Sequence, residues 1–167
     1  MLHFNASILV SLFYWLALSL ATSTSYNSHK LLLKDAIQIA NIAHQRAAEI
    51  NVSVTVAICD EGGHLICSLR GDNCFPFASQ IAEAKAVGSA MLMKDGGDLL
   101  TMSTNRAAFF NQISTFNRLP LIPGIGGLVI RKDGQAIGAI GVSGAAPDQD
   151  LDIATYALKA YNDMCMT

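Results

Sequence analysis

The chain has 167 residues, of which 51% are apolar and only 14% charged, and its formal net charge is −2. That length suits one compact domain, and the apolar fraction supplies ample core. No basic run or patch stands out, which argues against nucleic acid as a partner.

Residues 6–21 form one uncharged apolar run. It is shorter than the roughly 20 residues of a bilayer span. Ser19, Ala21 and Ser23 follow with the small-residue spacing that signal peptidase accepts. The expectation is a signal peptide over 1–21, a polar tether over 22–30 and a single domain over 31–167. The mature protein is then secreted, without stable membrane insertion. Export would place Cys59, Cys67, Cys74 and Cys165 in an oxidising compartment, where four cysteines allow three full pairings. Cys59 and Cys67 lie in apolar, strand-like runs; Cys74 and Cys165 are freer to pair. Asn51-Val52-Ser53 is a glycosylation sequon.

From Leu31 the pattern is helical. Leu32, Ala36, Ala40, Ala43, Ala47 and Ile50 make one stripe, and Asn51 is the terminator. Val52 to Ile58 alternates as a strand, 60–63 turns, and His64 to Leu69 returns. Arg70-Gly71-Asp72-Asn73 ends the hairpin. Ser79 is placed to cap a helix running to about Met93, whose faces are very small. Leu99 to Asn117 reads as a weaker helical stretch with Phe109, Phe110 and Phe116 buried. An extended loop over 119–124 leads to two strands joined at Asp133-Gly134. Gly138, Gly141 and Gly144 recur along the second strand, which suggests close approach by a backbone or a ligand. Pro147 opens the last helix, with Asp148, Asp150 and Asp152 at its positive end and Leu151, Ala154, Leu158 and Tyr161 as its buried stripe. The fold class is α/β (α+β): an antiparallel sheet with helices packed on it, in the order α-β-β-α-α-β-β-α.

The catalytic motifs fail on their partners. Gly141-Val142-Ser143-Gly144-Ala145 has the shape of a nucleophile elbow, but no His follows it in the chain. The glycines near 124–127 precede a strand instead of joining strand to helix, so they are not a dinucleotide loop. Lys85 lies among small side chains, either as a surface residue or as a holder of a carboxylate. His44, on the flank of the first helix, and His64, beside the Gly62-Gly63 turn, are the candidate imidazole ligands.

Five segments resemble the HbpS/GlcG family of haem-binding and haem-degrading-like proteins, which includes the C-terminal domain of PduO. They are VTVAICDEGGHLICSLRGD (54–72), IAEAKAVGSA (81–90), the glycine pair 126–127, KDGQAIGAIGVSG (132–144) and DQDLDIA (148–154). The resemblance implies an antiparallel α/β sandwich that assembles into homo-oligomers and takes haem, a corrinoid or a related small ligand. The expected haem site draws on His44 or His64 as iron ligand, with Arg70, Lys85, Gly141, Ser143, Gly144 and Asp150 around the ligand. The alternative is a small cofactor-independent enzyme of the isomerase or cyclase class, with Lys85, Asp150 and Ser143 as the polar groups of an apolar cavity.

Overall fold

The computed structural model describes residues 30–165, so the expected signal peptide and most of the tether lie outside the described residues. The elements are α1 (Leu33–Glu49), β1 (Thr55–Asp60), β2 (Leu65–Arg70), α2 (Ala78–Leu92), α3 (Gly96–Asn105), α4 (Ala107–Ser114), β3 (Gly127–Lys132), β4 (Gln135–Ser143) and α5 (Pro147–Cys165). The element order follows the sequence reading. The weak stretch after α2 is divided at Arg106, whose φ of −134° and ψ of 48° leave the helical region.

The four strands form one antiparallel sheet in the order β2-β1-β4-β3. Period-two alternation gives the sheet two unlike faces. Val54, Val56, Ile58, Ile140 and Val142 point to the side covered by α1 and α5, where Ile39, Ala43, Ile153 and Ala157 complete the main core. The other face is built of Ala57, Cys59 and Ala139, and Ala82, Ala86 and Ala90 of α2 pack on it. Small side chains on both partners let α2 lie very close to the sheet, so its small faces are explained by backbone approach.

Gly141 marks that approach. It pairs with Ala57, and a Cβ placed on it would stand 2.1 Å from the Ala82 carbonyl oxygen and 2.7 Å from the Ala86 nitrogen. The expectation that Gly141 and Gly144 open space for a ligand is therefore corrected. The space at Gly141 is filled by α2. At Gly144, φ is +142° and a Cβ would meet the Ser53 carbonyl oxygen at 2.6 Å.

Three other expectations change. Ser79 does not cap α2, which starts at Ala78; its hydroxyl lies 3.4 Å from that of Thr55. Of the three phenylalanines only Phe110 is buried, while Phe109 and Phe116 are exposed. Phe109 lies on the short, partly exposed α4 and Phe116 in the turn after it, where apolar residues outnumber the available core. In α5, Leu151 is exposed as well, and Ile153, Ala154 and Ala157 carry the burial.

Replacing Gly141 with Ala should lower stability by about 1–3 kcal/mol or more, because the new methyl must push α2 off the sheet. Urea denaturation measures this; an unchanged midpoint would show that α2 moves freely.

Candidate functional site

Lys85 and Asp150, both expected at the site, are brought together. Lys85 sits in the middle of α2 and is 7% exposed; Asp150 sits in the first turn of α5 and is 3% exposed. The Lys85 ammonium donates to Asp150 Oδ2 at 2.9 Å and to the Val142 carbonyl oxygen at 2.8 Å. Asp150 Oδ1 accepts from the Ala145 N–H at 3.1 Å. Gly126 closes over the pair with φ at +101°; a Cβ there would meet Asp150 Cβ at 2.8 Å and Lys85 Nζ at 3.2 Å. Gly126 thus serves this contact, while Gly127 lets β3 approach Ser89 and the Lys85 carbonyl oxygen of α2. Burial pushes the Asp150 carboxyl above its usual range, while the Lys85 ammonium and the Ala145 N–H pull the other way. The polar atoms are turned on one another and on the backbone. Neither Lys85 nor Asp150 is left to hold a second anion.

Ser143 ends β4 and is buried opposite Thr55. Its carbonyl oxygen lies 4.0 Å from Cys74 Sγ, which also stands 3.6 Å from the Thr55 hydroxyl. Cys74 is therefore buried, contrary to its expected freedom to pair, and Cys59, Cys67 and Cys74 are all free thiols. Burial pushes the Cys59 thiol up to about 12, which suppresses the reactive thiolate.

The two histidines differ. His44 donates through Nε2 to the Leu69 carbonyl oxygen at 3.1 Å, and a Cβ on Gly71 would lie 3.5 Å from its Nδ1. The ring is half-buried and its Nε2 is occupied. His64 is open, with its side chain 84% exposed. Its Nδ1 lies 3.2 Å from both carboxylate oxygens of Asp60. A carboxylate only accepts, so Nδ1 carries the hydrogen, and in the neutral ring Nε2 presents its lone pair to solvent. Asp60 Oδ1 also accepts the N–H groups of Gly62 at 2.9 Å and His64 at 2.8 Å. One side chain therefore shapes the turn and fixes the imidazole.

His64 lines a cleft of about 320 Å³ between the β1–β2 turn, α2 and the loop after α4. Leu65, Val87 and Leu119 supply apolar wall, and Arg118, paired with Glu83, supplies a cation. Leu119 also borders an apolar trough of about 230 Å³ formed with Phe77, Ile81, Ala84, Pro120 and Ile122. Arg70 does not join this site. It ends the strand that His64 precedes, about 20 Å away at 3.3 Å per residue. Gly141, Ser143 and Gly144 likewise do not line the cleft. Sequence reasoning missed Asp60, Glu83 and Arg118. The carboxylate four residues before His64, across a Gly-Gly turn, was the available signal for the first of them.

These features describe an antiparallel α/β sandwich with a surface cleft that offers one oriented imidazole. Residues 31–159 match the family described as haem degrading protein HbpS-like, and the chain belongs to that family. GlcG of Escherichia coli is 36% identical over 118 residues, covering 68% of this chain and 83% of GlcG. Among solved structures, ORFY of Klebsiella pneumoniae superposes with a TM-score of 0.72 at 29% identity, covering 79% of this chain and 90% of ORFY. A PduOC:heme complex superposes with a TM-score of 0.71 at 28% identity, covering 78% of this chain and 94% of PduOC.

Changing Lys85 to Met leaves the Asp150 carboxylate buried without its cation, and should cost about 3–5 kcal/mol at neutral pH. A raised folded-state pKa means the folded protein binds more protons than the unfolded chain. Stability tied to Asp150 is then complete below the unfolded carboxyl range and lost as pH rises through the folded value. The Lys85→Met deficit should therefore shrink on acidification, as Asp150 takes up a proton. Urea titrations at neutral and mildly acidic pH read this directly, and a deficit that grows in acid contradicts it.

Proposed function

We propose that the protein is a secreted haem-binding protein whose site is the His64 cleft. The observation that carries this reading is the His64–Asp60 pair: an exposed imidazole, held by a carboxylate on Nδ1, with Nε2 free to ligate. Metal-binding histidines are commonly oriented in this way, and the carboxylate raises the basicity of the ligating nitrogen. Haem needs few protein ligands, because the macrocycle supplies four nitrogens. Among the described residues no three His, Cys, Asp or Glu side chains converge as a site for a bare metal ion. Leu65, Val87, Leu119 and the adjoining trough offer apolar surface for a macrocycle, and Arg118 is the cation for a propionate. Haem bound here would supply redox or oxygen chemistry, while the protein orients the imidazole and excludes water from one face.

The family match and the solved PduOC:heme complex support the reading. The apolar run over 6–21 supports export. Asn51 is exposed, which leaves its sequon reachable for glycosylation in a host with that machinery. Phe75, Phe77 and Phe116 are exposed, at 47%, 58% and 75%, and support self-association. The enzyme alternative is not supported, because Lys85 and Asp150 are engaged with each other.

Haemin titrated into the purified protein should produce a Soret band typical of imidazole ligation. His64→Ala should abolish that band with no loss of thermal stability, since the side chain is exposed. His44→Ala should leave it in place. A band that survives His64→Ala and disappears with His44→Ala would move the site to α1.

A further inference from the structure

Three consecutive residues of the loop after α4, Asn117, Arg118 and Leu119, line the His64 cleft. Glu83 and Val87, one turn apart on α2, line it as well. Arg118 Nη2 donates to Glu83 Oε1. The two partners are unequally placed: the Glu83 side chain is 15% exposed and that of Arg118 75%. The carboxylate is thus the sheltered partner and the guanidinium the open one. A guanidinium carries several N–H donors in a planar fork, so one contact leaves others unused.

Asn117 is the other polar group of this loop. Its Nδ2 is buried and, among the described residues, has no hydrogen-bond acceptor. A buried donor without an acceptor is destabilising, and few are left so in a folded protein. Ser114, three residues earlier, shows the ordinary outcome: its hydroxyl accepts the Leu121 N–H at 2.8 Å. The loop therefore brings to one cleft a cation that already has an anion and an amide that has no acceptor.

We propose, resting on the reading of this cleft as the haem site, that a haem propionate takes the Arg118 guanidinium from Glu83 and accepts the Asn117 amide as well. Glu83 is then the resident counter-ion that the ligand displaces. An ion pair with so exposed a cation contributes little stability, so the exchange costs little. The carboxylate left behind still lines the cleft and opposes a second negative charge. The Asn117 amide has to turn towards the propionate, and that turn gives a buried donor its acceptor. Glu83 thus lowers the affinity for a haem with free carboxylates, and Asn117 raises it.

The test is titration of the purified protein with haemin and with haemin dimethyl ester, followed at the Soret band. Glu83→Gln should bind haemin about fivefold more tightly, and added salt should shrink the gain. Asn117→Leu should bind haemin about tenfold more weakly. Its apoprotein should melt no lower than the parent, because the variant buries no unpaired donor. An asparagine with a purely structural role would give the reverse, a lower melting temperature at unchanged affinity. Neither substitution should alter affinity for the ester, which keeps the macrocycle and the iron but lacks the two charges. Weaker haemin binding by Glu83→Gln would overturn the proposal and make Glu83 a residue that positions Arg118. Equal effects on haemin and ester would overturn it too, as would an Asn117→Leu variant that melts lower and binds as before. A Soret shift that neither substitution alters would remove this proposal alone. No shift with either haemin would remove the haem reading, and this proposal with it.

Discussion

The buried contact between Lys85 and Asp150 is the constraint on which the rest of the structure depends. It ties α2, through Lys85, to a stretch about sixty positions later: β4 through the Val142 carbonyl, the turn after it through the Ala145 N–H, and α5 through Asp150. Removing two charges from water is costly, and attraction inside the protein offsets that only when the geometry is good. Here the ammonium has two acceptors and the carboxylate two donors. An apolar pair of similar volume would not be bound to this one arrangement. The ion pair gives α2 a definite position along the sheet, and the helix is held where its alanines meet Ala57, Cys59 and Ala139.

That placement governs the surface. α2 carries Glu83 and Val87 into the His64 cleft and Ile81 and Ala84 into the neighbouring trough. A slip of α2 by one turn would remove these walls while leaving the β1–β2 turn intact. The imidazole is set separately, by Asp60 within its own hairpin. The cleft therefore combines a locally determined ligand with walls determined at long range. Substitutions in the buried ion pair should act on the site through its shape, and substitutions at Asp60 through the orientation of one ring.

Most of the fold was legible because its signals are local. The stripe of α1, the alternation of β1, the turns at 60–63 and 133–134 and the Pro147 start of α5 all lie within windows of a few residues. The site was legible only in part. Lys85 stands among small side chains and Asp150 among the acids that open α5, and this picked them out. It did not reveal that they face each other across 65 positions of sequence. The glycines of β4 misled for a related reason. Glycine spacing reports close approach without saying what approaches, and at Gly141 it is the backbone of α2. Phe109 and Phe116 misled in the opposite way, because an apolar residue on a short helix or in the turn after it is buried only if something covers it.

The same reasoning separates structure from chemistry among the polar residues. A buried group with all its partners inside the protein is committed to the fold, whatever its residue type suggests. Lys85, Asp150 and the Nε2 of His44 are of this kind. A group held on one side and open on the other is available to a ligand, and His64 is the imidazole in that state. Its partner Asp60 is also why the arrangement withstands exposure. The Asp60 carboxylate is already fixed by two backbone N–H groups, so holding the ring orders little that the turn had not ordered already. A ligand arriving at Nε2 therefore meets an oriented donor, and little of its binding energy goes into arranging one.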